Sequence, residues 1–293
     1  DSSPSRGLGD VYKRQGDITL ASLTLESGTF TSGDGTSRTI TINEGGAITN
    51  AGGTFTSSSE KVIFSGSGTT VGTLAFNNVE LNGGVNFGTG CTIQGTLEIL
   101  SGGYVDTNAP TYGSGATLKY NNGGIYGVGT EWNAPHHVVI ANGAELDFNT
   151  SGAESCGGDI TIDAGGNLNM DAMTGALTAV GDVTINGTLS MSTAVGGDLE
   201  LGGDFELASV GTFNENDRAL TFNGTGAQSV NGTSNLVLKY AIVDKASGAL
   251  TLNTPLEIMA GGVLWPTSGT LELNNQGLTT VSYTHLTLPT TYH

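Results

Sequence analysis

The sequence predicts an all-β protein, a right-handed parallel β-helix with about 22 residues in each turn. Three observations predict it. Short apolar segments alternate with period two, as strands with one buried face do. They recur at a nearly constant step. A glycine, usually paired with Gly or Ala, follows them at a fixed distance and marks a corner.

Five segments carry the common phrase. They are Ile40-Thr-Ile-Asn-Glu-Gly-Gly-Ala-Ile48, Leu97-Glu-Ile-Leu-Ser-Gly-Gly-Tyr-Val105, Val138-Val-Ile-Ala-Asn-Gly-Ala-Glu-Leu146, Ile160-Thr-Ile-Asp-Ala-Gly-Gly-Asn-Leu168 and Leu256-Glu-Ile-Met-Ala-Gly-Gly-Val-Leu264. Each reads as a strand, a glycine corner and a second strand. Equivalent strand starts lie 22 residues apart from Ile18 to Ile40 and from Ile40 to Val62. The steps Val138–Ile160, Ile160–Val183 and Val183–Phe205 are 22, 23 and 22. Turns stacked at about 4.8 Å would give roughly 12 turns and a rod of roughly 55–60 Å. The step slips between Phe205 and Leu220, where an irregular turn is expected. A string of β-sandwich domains is the competing fold, but it does not explain the steady step. No segment has helical periodicity.

Composition narrows the function. The chain has 293 residues, 48 of them Gly, a net charge of −18 and only 12% charged residues. Between Gly16 and Thr280 the basic residues are Arg38, Lys61, Lys119, Arg218, Lys239 and Lys245. So acidic a surface repels nucleic acid, which needs clustered Lys and Arg. It repels anionic membranes too, and no apolar run reaches the roughly 18 residues of a spanning helix. The expectation is neither a nucleic-acid partner nor membrane insertion. Low charge with abundant Gly, Thr, Asn and Ser suits an extracellular or cell-surface β protein. The 37% hydrophobic fraction is ordered by its alternation, unlike that of a disordered chain.

Both ends carry a different resemblance. Ser5 to Gln15 reads Ser-Arg-Gly-Leu-Gly-Asp-Val-Tyr-Lys-Arg-Gln, and Val281 to Thr290 reads Val-Ser-Tyr-Thr-His-Leu-Thr-Leu-Pro-Thr. They resemble translations of one tagmentation adapter in opposite orientations, as an untrimmed metagenomic library fragment would give. The expected organisation is adapter-derived residues 1–15 and 281–293 around a β-helix over 16–280 that is truncated at both ends. Arg6, Lys13, Arg14, His285 and His293 then carry no functional weight, and a signal peptide would lie upstream of the segment.

Two longer blocks carry a family resemblance. One begins Phe64-Ser-Gly-Ser-Gly-Thr-Thr-Val-Gly-Thr-Leu-Ala-Phe-Asn-Asn-Val79 and continues through Thr92–Ile99 and Asn108–Tyr120 to Trp132. The other is Phe222-Asn-Gly-Thr-Gly-Ala-Gln-Ser-Val-Asn-Gly232, followed by Leu250–Ile258 and Ser268–Asn274. They resemble the Gly- and Thr-rich repeats of large secreted proteins of Bacteroidetes, which often end in a type IX secretion sorting domain. The resemblance implies export, surface display and a structural or adhesive role. It transfers no catalytic residue.

The residues bearing chemistry are few. Gly-Asp precedes a strand at Asp17, Asp159, Asp182, Asp198 and Asp204. Asp159, Asp182 and Asp204 are 23 and 22 residues apart, so a β-helix stacks them at one corner. Adjacent carboxylates there would repel by about 0.9 kcal/mol even at the dielectric of water. One reading has Ca²⁺ relieving that repulsion. The plainer one has each Asp accepting turn amides. No other cofactor is implied.

His136 and His137, adjacent in a strand, would face opposite ways and so would not chelate one zinc ion. Cys91 and Cys156 read either as a pair or as small buried residues. Trp132 and Trp265 stand beside turn signals. Both are candidates for stacking on extracellular polysaccharide, with packing on a flank as the alternative. A β-helix lyase would need a basic residue beside an acidic cluster, and none is evident beside the Asp column. A hydrolase would need close carboxylates, which the column could imitate. The primary expectation is a non-catalytic structural or adhesive repeat. The alternative is a carbohydrate-active enzyme or glycan-binding module, marked by a groove lined with carboxylates and a Trp.

Overall fold

The computed structural model describes residues 12–13, 16–31, 38–149 and 152–280. Of the adapter-like ends, residues 1–11, 14–15 and 281–293 lie outside the described residues. Tyr12 and Lys13 pair in parallel with Phe30 and Thr31.

Every regular element among the described residues is a strand. The strands stack in parallel as a β-solenoid of about 12 turns. Two compact units divide it: Asp1–Asn122 with Gly129–Pro135, and Gly123–Val128 with His136–His293.

The first unit has three walls. One stacks Ile18–Leu20, Thr39–Ile42, Lys61–Phe64, Asn78–Leu81, Thr96–Leu100 and Thr117–Asn121. The second stacks Leu23–Leu25, Gly46–Asn50, Gly68–Val71, Gly84–Asn86 and Tyr104–Val105. The third contains Thr29–Thr31 on Thr54–Thr56, and Leu74–Phe76, Cys91–Ile93 and Thr111–Tyr112 in succession. The 22-residue step holds from Ile18 through Ile40 to Val62. It then shortens, since Val62 pairs with Val79 and Val79 with Leu97. These turns keep three strands and lose residues at the corners and from the second-wall strand.

In the second unit, Ile160–Ile162, Val183–Ile185, Phe205–Leu207 and Gln228–Gly232 follow His137–Ile140. Glu145–Asp147, Asn167–Asn169, Thr188–Ser190 and Thr212–Asn214 form another wall. The last comprises Glu154–Cys156, Leu177–Ala179, Leu199–Leu201 and Ala219–Phe222. Two long strands, Leu236–Leu252 and Leu256–Glu272, bend around the corners and continue these walls.

The irregularity expected after Phe205 is real, but Leu220 is not its continuation. Phe205 pairs with Val230, 25 residues on, and Leu220 stacks on Leu199 in a different wall. The added length lies in the corner between Phe205–Leu207 and Thr212–Asn214 and in the corner after Ala219–Phe222, while the corner after Thr212–Asn214, where Asn216 and Asp217 adopt positive φ, is shorter than the one a turn before.

Inward side chains form continuous columns. One runs Ile40, Val62, Val79, Leu97, Leu118; another runs Val138, Ile160, Val183, Phe205, Val230. All ten are buried. Burying each such side chain contributes about 1.5–3 kcal/mol.

The glycine corners divide labour. In all five phrases the first glycine (Gly45, Gly102, Gly143, Gly165 or Gly261) has φ between 70° and 84°, a region costly for other residues. The second position has another demand: a Cβ on Gly46, Gly103 or Gly262 would sit 2.1–2.2 Å from a carbonyl oxygen of the adjacent turn.

On the outside of the first unit, Glu80, Glu98 and Lys119 lie in register. Lys61 Nζ is 2.9 Å from Glu80 and 3.9 Å from Glu98, and Lys119 Nζ is 2.9 Å from Glu98. Burial opposes ionisation of Glu98. Hydrogen bonds from Lys119 and Asn121, with the nearby lysine charges, outweigh it and hold the carboxyl below its ordinary 4.5. A lowered folded pKa gives stability that is present above the unfolded value and lost as pH falls through the folded one. Lys119→Ala is therefore expected to cost about 0.5–1 kcal/mol at pH 7. Denaturant titrations should show that difference shrinking below pH 4.5.

Candidate functional site

The Gly-Asp carboxylates are engaged with backbone. Asp159 Oδ1 accepts the Asp182 amide at 2.9 Å, Asp182 Oδ1 accepts the Asp204 amide at 2.7 Å, and Asp204 Oδ1 accepts the Ser229 amide at 2.7 Å. Asp17 and Asp198 do the same for Thr39 and Ala219. Each carboxylate thus bridges one turn to the next. Among the described residues no three His, Cys, Asp or Glu side chains group as metal ligands. The column is a stacked relay with its oxygens directed along the solenoid. Asp182→Asn, which keeps an acceptor oxygen, is expected to change the melting temperature little. Asp182→Ala should cost about 0.5–1.5 kcal/mol, the net worth of an exposed hydrogen bond to the Asp204 amide that water then replaces. Added calcium should stabilise neither variant; a calcium-dependent rise in wild-type melting temperature that Asp182→Asn abolishes would restore the ion site.

His137 begins its strand and His136 precedes it, so the two do not alternate as strand neighbours would. Their rings meet edge to face at 4.4 Å, contrary to the expected opposite orientation. His137 Nδ1 accepts the Asp159 amide at 3.0 Å and so heads the Asp relay. Cys91 and Cys156 are both buried free thiols. Burial pushes them up to about 12 and about 11, which keeps them protonated and unreactive at neutral pH.

The tryptophans part company. Trp132 is buried at 6% exposure, beside the buried Glu131. Glu131 Oε1 accepts the Tyr120 hydroxyl and the Gly129 amide, which fixes this corner. Trp265 is 55% exposed and borders a hollow of about 270 Å³. The wall beneath is an outward sheet face on which Ala219, Tyr240 and Val263 lie in one register row and Ile242 pairs with Trp265. Asp198, Asp217 and Arg218 complete the rim, and Val195 overhangs it. Asp217 comes from the short positive-φ corner after Thr212–Asn214. Lys239 Nζ stands 3.8 Å from Asp217, and Arg218 Nε donates to the Asn216 carbonyl. The arrangement offers an aromatic plane, an apolar floor and charged hydrogen-bonding groups at one edge.

Comparison with family models, curated proteins and solved structures finds no match. The site is therefore read from its own geometry.

One cluster has no counterpart in the sequence reading. Lys245 is buried at 1% exposure, and its Nζ donates to Gln228 Oε1 at 2.6 Å and to the Gly224 carbonyl at 2.9 Å. Gln228 is also buried; its Nε2 donates to the Leu201 and Gly203 carbonyls. Burial lowers the Lys245 pKa, and the charge of Asp204 opposes that shift. A basic residue thus does stand near the Asp column, contrary to expectation, but its ammonium is enclosed and committed to structural acceptors. The other missed pattern is an asparagine column: Asn274 Nδ2 donates to Asn253, and Asn253 Nδ2 to Asn231, each at 2.8 Å.

Proposed function

We propose that the chain is a structural or adhesive repeat region of a secreted or cell-surface protein, acting through rigidity. The observation that carries this reading is the Gly-Asp relay. The carboxylates that a hydrolase would present in pairs to a substrate are spent on amides of the next turn. Within each unit, turns are tied together by backbone ladders and apolar columns, and at the Gly-Asp corners by these side-chain bridges, which suits a spacer that holds its partners apart. Surface display rests on the resemblance of the Gly- and Thr-rich blocks. The test is the parent gene together with a product assay. The expected gene encodes an export signal, further turns of this kind and a sorting domain, and the protein releases no sugar ends from a polysaccharide panel. Sugar release, or a gene without an export signal, would overturn the proposal.

The alternative reading, a glycan-binding module, is favoured by one feature, the exposed Trp265 above a hollow edged with carboxylates.

A further inference from the structure

We infer that the hollow at Trp265 is a binding site for a neutral pyranose of a polysaccharide chain. The inference specifies the ligand of the glycan-binding reading and depends on neither export nor surface display.

Three observations converge on this ligand class. The first is the floor. Tyr240, Ile242, Val263 and Trp265 point outward from a regular parallel sheet, where period-two alternation ordinarily places polar residues facing water. An exposed apolar patch of this kind marks an interaction surface. A sheet face is flat, and Trp265 adds an aromatic plane. The C–H face of a pyranose is flat and weakly apolar, so it matches both.

The second observation is the rim. Asp198, Asp217 and Arg218 stand at the edge of the hollow. Asp198 Oδ1 is taken by the Ala219 amide and Arg218 Nε by the Asn216 carbonyl, which orients both side chains. The second oxygen of Asp198 and the terminal nitrogens of Arg218 are not held by those bonds. Vicinal ring hydroxyls each donate and accept, and are matched by a carboxylate beside a guanidinium.

The third is charge and size. Arg218 and Lys239 offset the two rim carboxylates locally, and the chain charge of −18 disfavours uronate and sulfate. A volume of about 270 Å³ fits one or two sugar rings, not a protein domain. A second copy of the chain would bring the same overall negative charge.

The test is titration of the protein with cellohexaose, xylohexaose, mannohexaose and hexagalacturonate, followed by calorimetry and tryptophan emission. Trp132 is buried, so a ligand-induced change in emission reports on Trp265. At least one neutral hexamer is expected to bind and shift the emission. Trp265→Ala should weaken it at least tenfold, Trp265→Phe less, and Asp217→Asn severalfold. Trp265 is exposed, so its variants should fold, which circular dichroism checks. Binding of none of the neutral hexamers, binding unchanged by Trp265→Ala, or equal binding of hexagalacturonate would overturn the inference. So would dimerisation that Trp265→Ala abolishes in a protein that binds no sugar. Sugar binding without export would refute surface display and leave this site standing.

Discussion

Replacing Gln228 by leucine is expected to destabilise the second unit by about 3–5 kcal/mol, the range for breaking a buried, hydrogen-bonded charge network. Gln228 holds four groups at once. Its Oε1 accepts from Lys245 Nζ and from the Gly224 amide, and its Nε2 donates to the Leu201 and Gly203 carbonyls. Leucine has a similar volume, so little packing is lost. What is lost is every polar partner in a place that water does not reach. Lys245 keeps the Gly224 carbonyl but stays enclosed with its charge undercompensated. Its folded pKa already lies below its ordinary 10.5, because burial disfavours the ammonium. The variant should shift it further down. Such a shift makes the charged form a liability, so the penalty should be full near neutral pH and fade as pH rises towards the folded pKa. Denaturant unfolding at pH 7 and pH 10 measures both effects. The double variant Gln228→Leu with Lys245→Met should recover part of the loss, since it removes the stranded charge. Equal stability of Gln228→Leu and wild type would show that the network is not satisfied as described.

The second large effect is expected at Gly103. A Cβ there would lie 2.2 Å from the Leu81 carbonyl oxygen and 2.8 Å from its carbon, both backbone atoms of the adjacent turn. No rotamer relieves a backbone clash, so the two turns must separate and give up ladder bonds at that corner. Gly103→Ala should cost about 3 kcal/mol or more, among the larger values for single substitutions. The contrast is Gly143, the first glycine of its own phrase, whose φ of 79° is strained for alanine but whose Cβ would meet nothing within 4 Å. Gly143→Ala should cost only about 1–2 kcal/mol. Thermal melts of the two variants separate the conformational demand from the steric one.

These two effects mark what could be read in the sequence and what could not. The corner glycines and the inward columns were legible, because period-two alternation and a positive-φ residue are local requirements that recur with each phrase. The short steps at Val79 and Leu97 were not, since the turns from Val62 and Val79 lose residues without losing their alternating strands, and alternation alone does not mark a shortened turn. The slip after Phe205 was legible, but the walls share one apolar composition, and sequence alone does not say which wall Leu220 joins. The Gln228–Lys245 cluster joins residues 17 apart that meet only after the chain has rounded a corner. Trp132 and Trp265 carried the same local signals, a turn and a nearby proline. Their different exposure is set by where each falls in the folded turns: Trp132 lies buried in the corner that Glu131 fixes, and Trp265 stands on an outward sheet face. The Asp column was legible as a stack. Its role as an amide relay follows from the direction of the oxygens, which spacing does not give.

The measurement that tests the central claim most directly is disulfide trapping across adjacent turns. Thr161 pairs with Thr184, and Thr184 with Glu206, in an outward parallel column. In-register neighbours stand about 4.8 Å apart, within the range that a disulfide spans, and residues two turns apart stand at about twice that, beyond it. Cys91 and Cys156 are buried and protonated, so they should not compete. Under mild oxidation Thr161→Cys with Thr184→Cys should form an intramolecular bridge, and Thr161→Cys with Glu206→Cys should not. A bridge in the second pair and none in the first would contradict the stacked solenoid.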